Sequence, residues 1–389
     1  MPAKHPPRYL DNHATTRTDP RVVEAMLPFF SERFGNAASI GHSFGEDAAR
    51  AVETARHEVA SLVGARPEEV IFTSGATEAN NLALKGLLST SGNRRHLVVS
   101  DVEHPSVLDP VARLARTGCR VTRVGCDTTG QVDPAEVAAA IEPDTALVSV
   151  MWANNEVGTI NPVAEIADRC VDAGVVFHTD AVQAVGRIPV NCRNVTAGLL
   201  SLSAHKIYGP KGIGALVVRR GSQRIRLLPQ IEGGGHEAHL RSGTLPVPLI
   251  VGFGTACRLA ADALESESVR LAGLAKTLAA GIGERLEGVH INGHPDDRLP
   301  GNMNLGFEGV DGDALQAGLK RIAVSSGSAC TTADPGTSHV LAAMGVPETL
   351  SRASLRFGLG RFNTEDDILA AIDEIVETVE RLRTTTRPG

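Results

Sequence analysis

Aromatic residues are scarce in this chain: ten Phe, two Tyr and one Trp make up 3% of 389 residues. There is no Lys/Arg-rich block with interleaved aromatics, and the formal net charge is -7. Nucleic-acid surfaces combine basic patches with stacking rings, so no nucleic-acid partner is expected. Small neutral or zwitterionic substrates fit this composition better. Long apolar runs are missing as well. The start, Met1-Pro2-Ala3-Lys4-His5-Pro6-Pro7, has no apolar core of signal-peptide length. No stretch reaches the ~18 uncharged apolar residues of a membrane span, so the expectation is a cytoplasmic location and no membrane. Cys119, Cys126, Cys170, Cys192, Cys257 and Cys330 show no C-x-x-C spacing, and the thirteen histidines no H-E-x-x-H. Neither a metal site nor a disulfide framework is therefore indicated, and most of these cysteines should be small buried hydrophobes.

What is present is enough apolar material for two cores: 42% of the residues are hydrophobic, in a chain longer than one core usually supports. Asp19-Pro20 opens a helix, and Asp47 to Val63 shows helical apolar spacing. From Glu69 onward strand and helix alternate. Val70-Ile71-Phe72-Thr73-Ser74 turns at Gly75 into a helix through Leu88. His96–Val99, Arg120–Val124, Ala146–Met151 and Val175–Asp180 follow, each with a polar segment or helix after it. Such alternation predicts a mostly parallel sheet covered by helices, with its ligand site beyond the strands' carboxyl ends. Thr77, His104, Asn155, Asp180, Gln183, Ser203, His205 and Lys206 all fall there. Each has an ordinary reading as a cap, surface or core residue; eight in one position class point to a site.

The string Leu199-Leu200-Ser201-Leu202-Ser203-Ala204-His205-Lys206 reads as a strand ending in a lysine, before a turn at Gly209-Pro210. Alone it fits a solvated surface turn as well as a nucleophile. A lysine amine becomes a Schiff-base former when desolvated or set beside other cations, and His205 is a candidate neighbour of that kind. The helix start at Gly75, Ala76 and Thr77 offers unpaired N–H groups to a phosphate. With Asp180, these suit an enzyme that holds a phosphorylated aldehyde cofactor. The Gly-rich 231–244 segment reads as flexible. Helical spacing runs from Leu249 to about Leu264, and a domain boundary is expected near residue 260. A second helix through Leu286 and a smaller α/β unit follow, closing with a helix from Ile368 to Leu382.

Five ordered strings carry a resemblance: Leu10-Asp11-Asn12-His13-Ala14-Thr15-Thr16, Thr73-Ser74-Gly75-Ala76-Thr77-Glu78, Ser203–Gly212, Arg241-Ser242-Gly243-Thr244, and Ser325-Ser326-Gly327-Ser328-Ala329-Cys330-Thr331. From about Tyr9 to Leu382 the chain resembles the cysteine desulfurases, fold-type I pyridoxal-phosphate enzymes of the class V aminotransferase group. The resemblance implies an α/β transferase with three parts: a 1–18 arm associated with the small domain, a large cofactor-binding domain at 19–260, and a small domain at 261–389 carrying the Cys330 loop. It implies that Lys206 binds pyridoxal 5'-phosphate covalently, Asp180 holds the ring nitrogen, and His104 stacks on the ring. Gln183 and Asn155 contact its phenolate side, while Ala76, Thr77, Ser203 and His205 cradle the phosphate. Thr244 completes the partner subunit's site in a homodimer. Arg356 grips the carboxylate of L-cysteine, with Asn155 also on the substrate side. Cys330 takes the sulfur as a persulfide, and His104 is the candidate base for the thiol protons. A sulfur-acceptor protein, either an iron–sulfur scaffold or a sulfur carrier, would receive the product. A selenocysteine lyase or another class V aminotransferase would share the cofactor site, and a silent sulfur-relay scaffold would keep only the fold. The segment after Cys330, Thr331-Thr332-Ala333, departs from the usual Thr-Ser continuation, and the expectation is that the longer scaffold-binding tail of housekeeping members is absent, which leaves the acceptor open.

Overall fold

The computed structural model describes residues 7–221, 224–326 and 337–385. The chain enters through a short strand, β1 (Arg8–Tyr9), and a polar turn. Helices α1 (Pro20–Met26), α2 (Pro28–Ser31) and α3 (Ser43–Leu62) follow. Asp19 caps α1 by accepting the Arg21 N–H at 3.0 Å, with Pro20 where a missing N–H costs nothing. α3 starts at Ser43, ahead of the expected Asp47, because the His42 side chain accepts the Gly45 N–H and caps it there.

Seven strands then build the main sheet: β2 (Val70–Thr73), β3 (His96–Ser100), β4 (Arg120–Val124), β5 (Thr145–Ser149), β6 (Val176–Asp180), β7 (Leu199–Ser203) and β8 (Gly214–Val218). Their order is β2-β8-β7-β6-β5-β3-β4. Neighbours are parallel except at β8, which runs antiparallel to both β2 and β7. Four helices connect the earlier strands: α4 (Ala76–Leu88), α5 (Pro105–Arg116), α6 (Pro134–Ala140) and α7 (Val163–Asp172). Side chains on a strand alternate between faces, so Phe72, Val98, Val148 and Leu200 enter one core. Ile71, Leu97, Val99, Leu147 and Leu199 enter another on the opposite face. Burial on both faces explains why these strands read as continuous apolar runs.

In place of two helices meeting near residue 260, one helix, α8 (Val247–Gly283), runs unbroken through that point. Ala260-Ala261-Asp262-Ala263-Leu264-Glu265 contains no breaker and is rich in good helix formers. Its first half buries Ile250, Phe253, Ala256, Cys257 and Leu259 in the main core. From Leu271 it buries Leu274, Leu278 and Ile282 in a different one. By length and composition α8 could cross a membrane, but its buried apolar side chains belong to these two cores.

The second core lies against an antiparallel sheet. Its strands are β9 (Val289–Asn292), β10 (Asn302–Phe307), β12 (Ser325–Ser326) and β13 (Ser354–Gly358), in the order β12-β13-β10-β9, while β11 (Ile322–Ala323) lies outside this sheet. Helices α9 (Gly312–Gly318), α10 (His339–Ala343), α11 (Glu348–Arg352) and α12 (Glu365–Thr385) complete it. The chain's start is stitched to this unit. β1 pairs with β11, Leu10 is fully buried in the second core, and Asn12 N–H reaches Gly358 O at 2.9 Å.

The 231–244 segment, expected to be flexible, is anchored. Glu237, Ala238 and His239 all take left-handed φ values (49°, 53° and 65°). The Glu237 carboxylate holds them by accepting two bonds from Arg56 at 2.8 Å and the Phe72 N–H at 2.7 Å.

Candidate active site

The carboxyl ends of β2, β3, β5, β6 and β7 open onto one pocket of about 520 Å³. Ala76, Thr77, His104, Asn155, Asp180, Gln183, Ser203, His205 and Lys206 all line it. Lys206 follows β7 in a 3-10 turn, Ala204–Lys206, and its Nζ donates to the carbonyls of His13 and, at 2.8 Å, Ala14. The turn is clamped by the N-terminal segment, for Thr16 gives both its N–H and its hydroxyl to His205 O, at 3.0 and 2.9 Å.

His205 does not serve as the cation that the sequence suggested. Burial, then Lys206 and Lys211, pull its pKa down to about 4, so its ring is neutral. The cation packed behind the turn is Arg187, which donates to Asn12 O at 2.8 Å and Lys206 O at 3.3 Å. Arg187 also lies against the buried His13 ring, whose pKa burial and this charge hold well below the ordinary value. Gln183 bridges to His13 on both sides, meeting its Nδ1 and donating to its carbonyl, each at 3.0 Å.

Asp180 ends β6. Its Oδ1 accepts the Val182 N–H at 3.0 Å and its Oδ2 an amide hydrogen of Asn80 at 2.8 Å. His104 is the N-cap of α5: its Nδ1 accepts the Ser106 N–H at 3.1 Å and meets the Ser106 hydroxyl at 2.8 Å. Desolvation lowers the His104 pKa, against the pull of Asp180. The preceding Glu103 is fully enclosed, and burial pushes its carboxyl up to about 8.

At the other end of the pocket, α4 starts at Gly75 (φ 154°) with no side chain capping its first N–H groups. A Cβ on Gly75 would meet no atom within 4 Å, so the space before those groups is open. Gly214 must stay bare for the turn to fit, since its Cβ would lie 2.8 Å from the Gly75 backbone. A helix N-terminus of this kind is an anion site.

Two expected residues lie elsewhere, and a third is not among the described residues. Arg356 is 1% exposed and does not line the pocket; it donates to Asp11 Oδ1 at 2.9 Å and to Asn155 O at 3.0 Å. Thr244 is exposed and away from this pocket, while Cys330 lies outside the described residues. Sequence reasoning missed Asn80, Ser106, Arg187 and Asp11. Asn80 carried a usable signal, as a polar residue on the buried face of α4 among Ala79, Leu82 and Ala83. Among the described residues, no group of three or more His, Cys, Asp or Glu could hold a metal ion, and five cysteines are free thiols.

A class V aminotransferase family model matches residues 8–370. Over 378 residues the chain is 51% identical to "Cysteine desulfurase IscS" of Anaeromyxobacter dehalogenans (strain 2CP-C), covering 97% of this chain and 93% of that protein. The chain belongs to the cysteine desulfurase family. It is also 48% identical to "Cysteine desulfurase, mitochondrial" of Arabidopsis thaliana, over 97% of this chain and 83% of that one. Among solved structures, a "NIFS-LIKE PROTEIN" superposes with TM-score 0.90 at 36% identity, covering 97% of this chain and 100% of the other. "SspA in complex with cysteine" superposes at 0.81 with 35% identity, over 92% of this chain and 100% of that one. The expected fold, enzyme class and cofactor are thereby met: this desulfurase is an α/β enzyme with a mixed, mostly parallel sheet, dependent on pyridoxal phosphate.

The donor set fits that cofactor. An uncapped helix start suits the phosphate, an amine at Lys206 suits the aldehyde, and the Asp180 carboxylate suits a protonated ring nitrogen. The family assignment and this fit agree.

Proposed function

We propose that the desulfurase's pocket converts L-cysteine to L-alanine while the sulfur passes to Cys330. The supporting observation is the meeting of Lys206, Asp180, His104 and the uncapped start of α4 around one pocket. In atoms, L-cysteine and the Cys330 thiol become L-alanine and a Cys330 persulfide. The substrate C–S bond breaks, an S–S bond to Cys330 Sγ forms, and the proton from the thiol ends on alanine. Bound pyridoxal phosphate supplies an electron sink at the substrate α-carbon. Lys206 Nζ takes the α-proton, and when free it rests on the carbonyls of His13 and Ala14. Asp180, held in place by Val182 and Asn80, would pair with the protonated nitrogen of a bound ring. His104 presents its Nε2 to the reacting groups.

Arg356 binds the substrate carboxylate through its planar fork. Because it is buried and already paired with Asp11, the substrate carboxylate takes over a preformed bond. Thr244 projects from the anchored 231–244 segment and serves the partner's phosphate in a homodimer. The persulfide is delivered to an iron–sulfur scaffold or a sulfur carrier, and the setting is the cytoplasm. The large and small domains divide near residue 260, a division supported by the change of core along α8 between Leu259 and Leu271.

Incubating the holoenzyme with cysteine should yield alanine and, with a thiol reductant, sulfide. Full alanine output from Cys330→Ser would refute the persulfide role. Lys206→Ala should lose the visible absorbance of the bound cofactor, and its retention would remove Lys206 from the chemistry.

A further inference from the structure

A continuous hydrogen-bond chain runs under the pocket floor from Asp180 to His104, and each link has a defined direction. Asp180 Oδ2 can only accept from Asn80, so the Asn80 amide nitrogen faces it, at 2.8 Å. The same nitrogen donates its other hydrogen to Ser106 Oγ at 2.8 Å. Asn80 Oδ1 is left buried without a hydrogen-bond partner among the described residues. Leaving a buried amide oxygen unpaired is costly, so the orientation is imposed by Asp180 and Ser106. Ser106 Oγ, having accepted from Asn80, has its own hydrogen to give, and His104 Nδ1 lies 2.8 Å away. The backbone N–H of Ser106 also points at that nitrogen, at 3.1 Å, and an N–H cannot accept. Asn80 is 0% exposed, Ser106 8% and Asp180 5%, so water does not compete for these bonds.

We propose that Asn80 and Ser106 are positioning residues for the desulfurase reaction, which lock His104 as the neutral Nε2–H tautomer and tie its ring to Asp180. His104 then meets the reacting groups as a hydrogen-bond donor at Nε2. Taking up a further proton would require Nδ1, and that would break both the hydroxyl bond and the cap of α5. The charged and titratable groups around the ring, Asp180, Lys206, His339 and Asp109, act on it with opposing signs, while burial keeps it neutral. The base for the thiol proton is consequently another group, and Lys206 Nζ is the amine at hand. This inference rests on His104 facing the reacting groups, but its test is read from the ring itself, so failure of the persulfide scheme leaves it standing.

The test is a nitrogen-15 spectrum of histidine-labelled holoenzyme, with His104 assigned by its loss in His104→Gln. The wild type should show a pyridine-type Nδ1 and a pyrrole-type Nε2, unchanged across the neutral pH range. In Asn80→Ala and Ser106→Ala the two ring signals should move toward each other as the tautomers mix, and Ser106→Thr, which keeps the hydroxyl, should restore them. In the two alanine variants kcat should fall about five- to tenfold with KM for cysteine held, the worth of one hydrogen bond. An Nδ1–H or cationic ring in the wild type would overturn the tautomer. Unchanged ring signals in both alanine variants would overturn the role given to Asn80 and Ser106.

Discussion

Removing the Glu237 carboxylate should loosen the 231–244 segment and destabilise the holoenzyme by about 2 kcal/mol. Its side chain is 1% exposed and that of Arg56 11%, and the two meet in a bidentate pair. Truncating one partner of a buried pair costs ~3–5 kcal/mol, because the other charge is stranded. Arg56 keeps Glu53 at 3.0 Å, the Val70 carbonyl at 2.8 Å and the face of Phe72, which places the loss at the lower end. The Phe72 N–H loses its acceptor, adding ~1–3 kcal/mol. Against this, three left-handed residues at ~1 kcal/mol or more each become free to relax. The gains and losses leave roughly 2 kcal/mol for Glu237→Ala. Denaturant unfolding of the holoenzyme measures it, and amide exchange at Phe72 reports the local event. Replacing both partners by methionine should recover most of the loss, since apolar pairs of similar volume often match buried ion pairs. A loss under ~1 kcal/mol with the Phe72 amide still protected would show that the ion pair does not hold the turn.

Other positions give simpler outcomes. Ala238→Gly should stabilise the chain by ~1 kcal/mol in thermal unfolding, because its φ of 53° suits glycine. Gly75→Ala should weaken cofactor retention on dialysis, as its Cβ enters the open space before α4 and its φ of 154° disfavours a side chain. Glu103 is protonated when folded up to about pH 8, whereas its unfolded carboxyl ionises near 4.5. The folded state thus binds the extra proton, and the stability this contributes is lost as pH rises through that window. Glu103→Gln should flatten this slope in stability measured at a series of pH values.

Much of the site was legible because strand ends and glycine turns have strong local signatures. Lys206, Asp180 and Thr77 sit just past apolar runs, where a parallel sheet places its ligand. Burial and pairing were not legible in the same way. His205 looks like a cation beside Lys206 in sequence, and only its enclosure makes it neutral. Arg356 looks free to bind substrate, yet it spans to Asp11, 345 residues earlier. The Asn80 link depends on α4 and β6 lying side by side, which no local pattern encodes. The boundary expected near residue 260 implied two helices, whereas helix propensity there is continuous and α8 runs through.

The N-terminal segment that receives Lys206 also sets a timetable for synthesis. Residues 9–16 leave the ribosome well before their partners, which include Lys206, Arg356 and Gly358. At ~5–20 residues per second the wait between Asp11 and Arg356 is roughly 20–70 s. During it the strands of the main sheet can pair and residues 12–16 can meet Gln183, Arg187, His205 and Lys206, while Asp11 still waits for Arg356. Ala14 and Thr15, which line the pocket, thus lie next to a segment whose pairing with β13 comes only after the rest of the pocket's lining has been made. A nascent chain halted before β13 would carry the lysine without the finished wall that holds it.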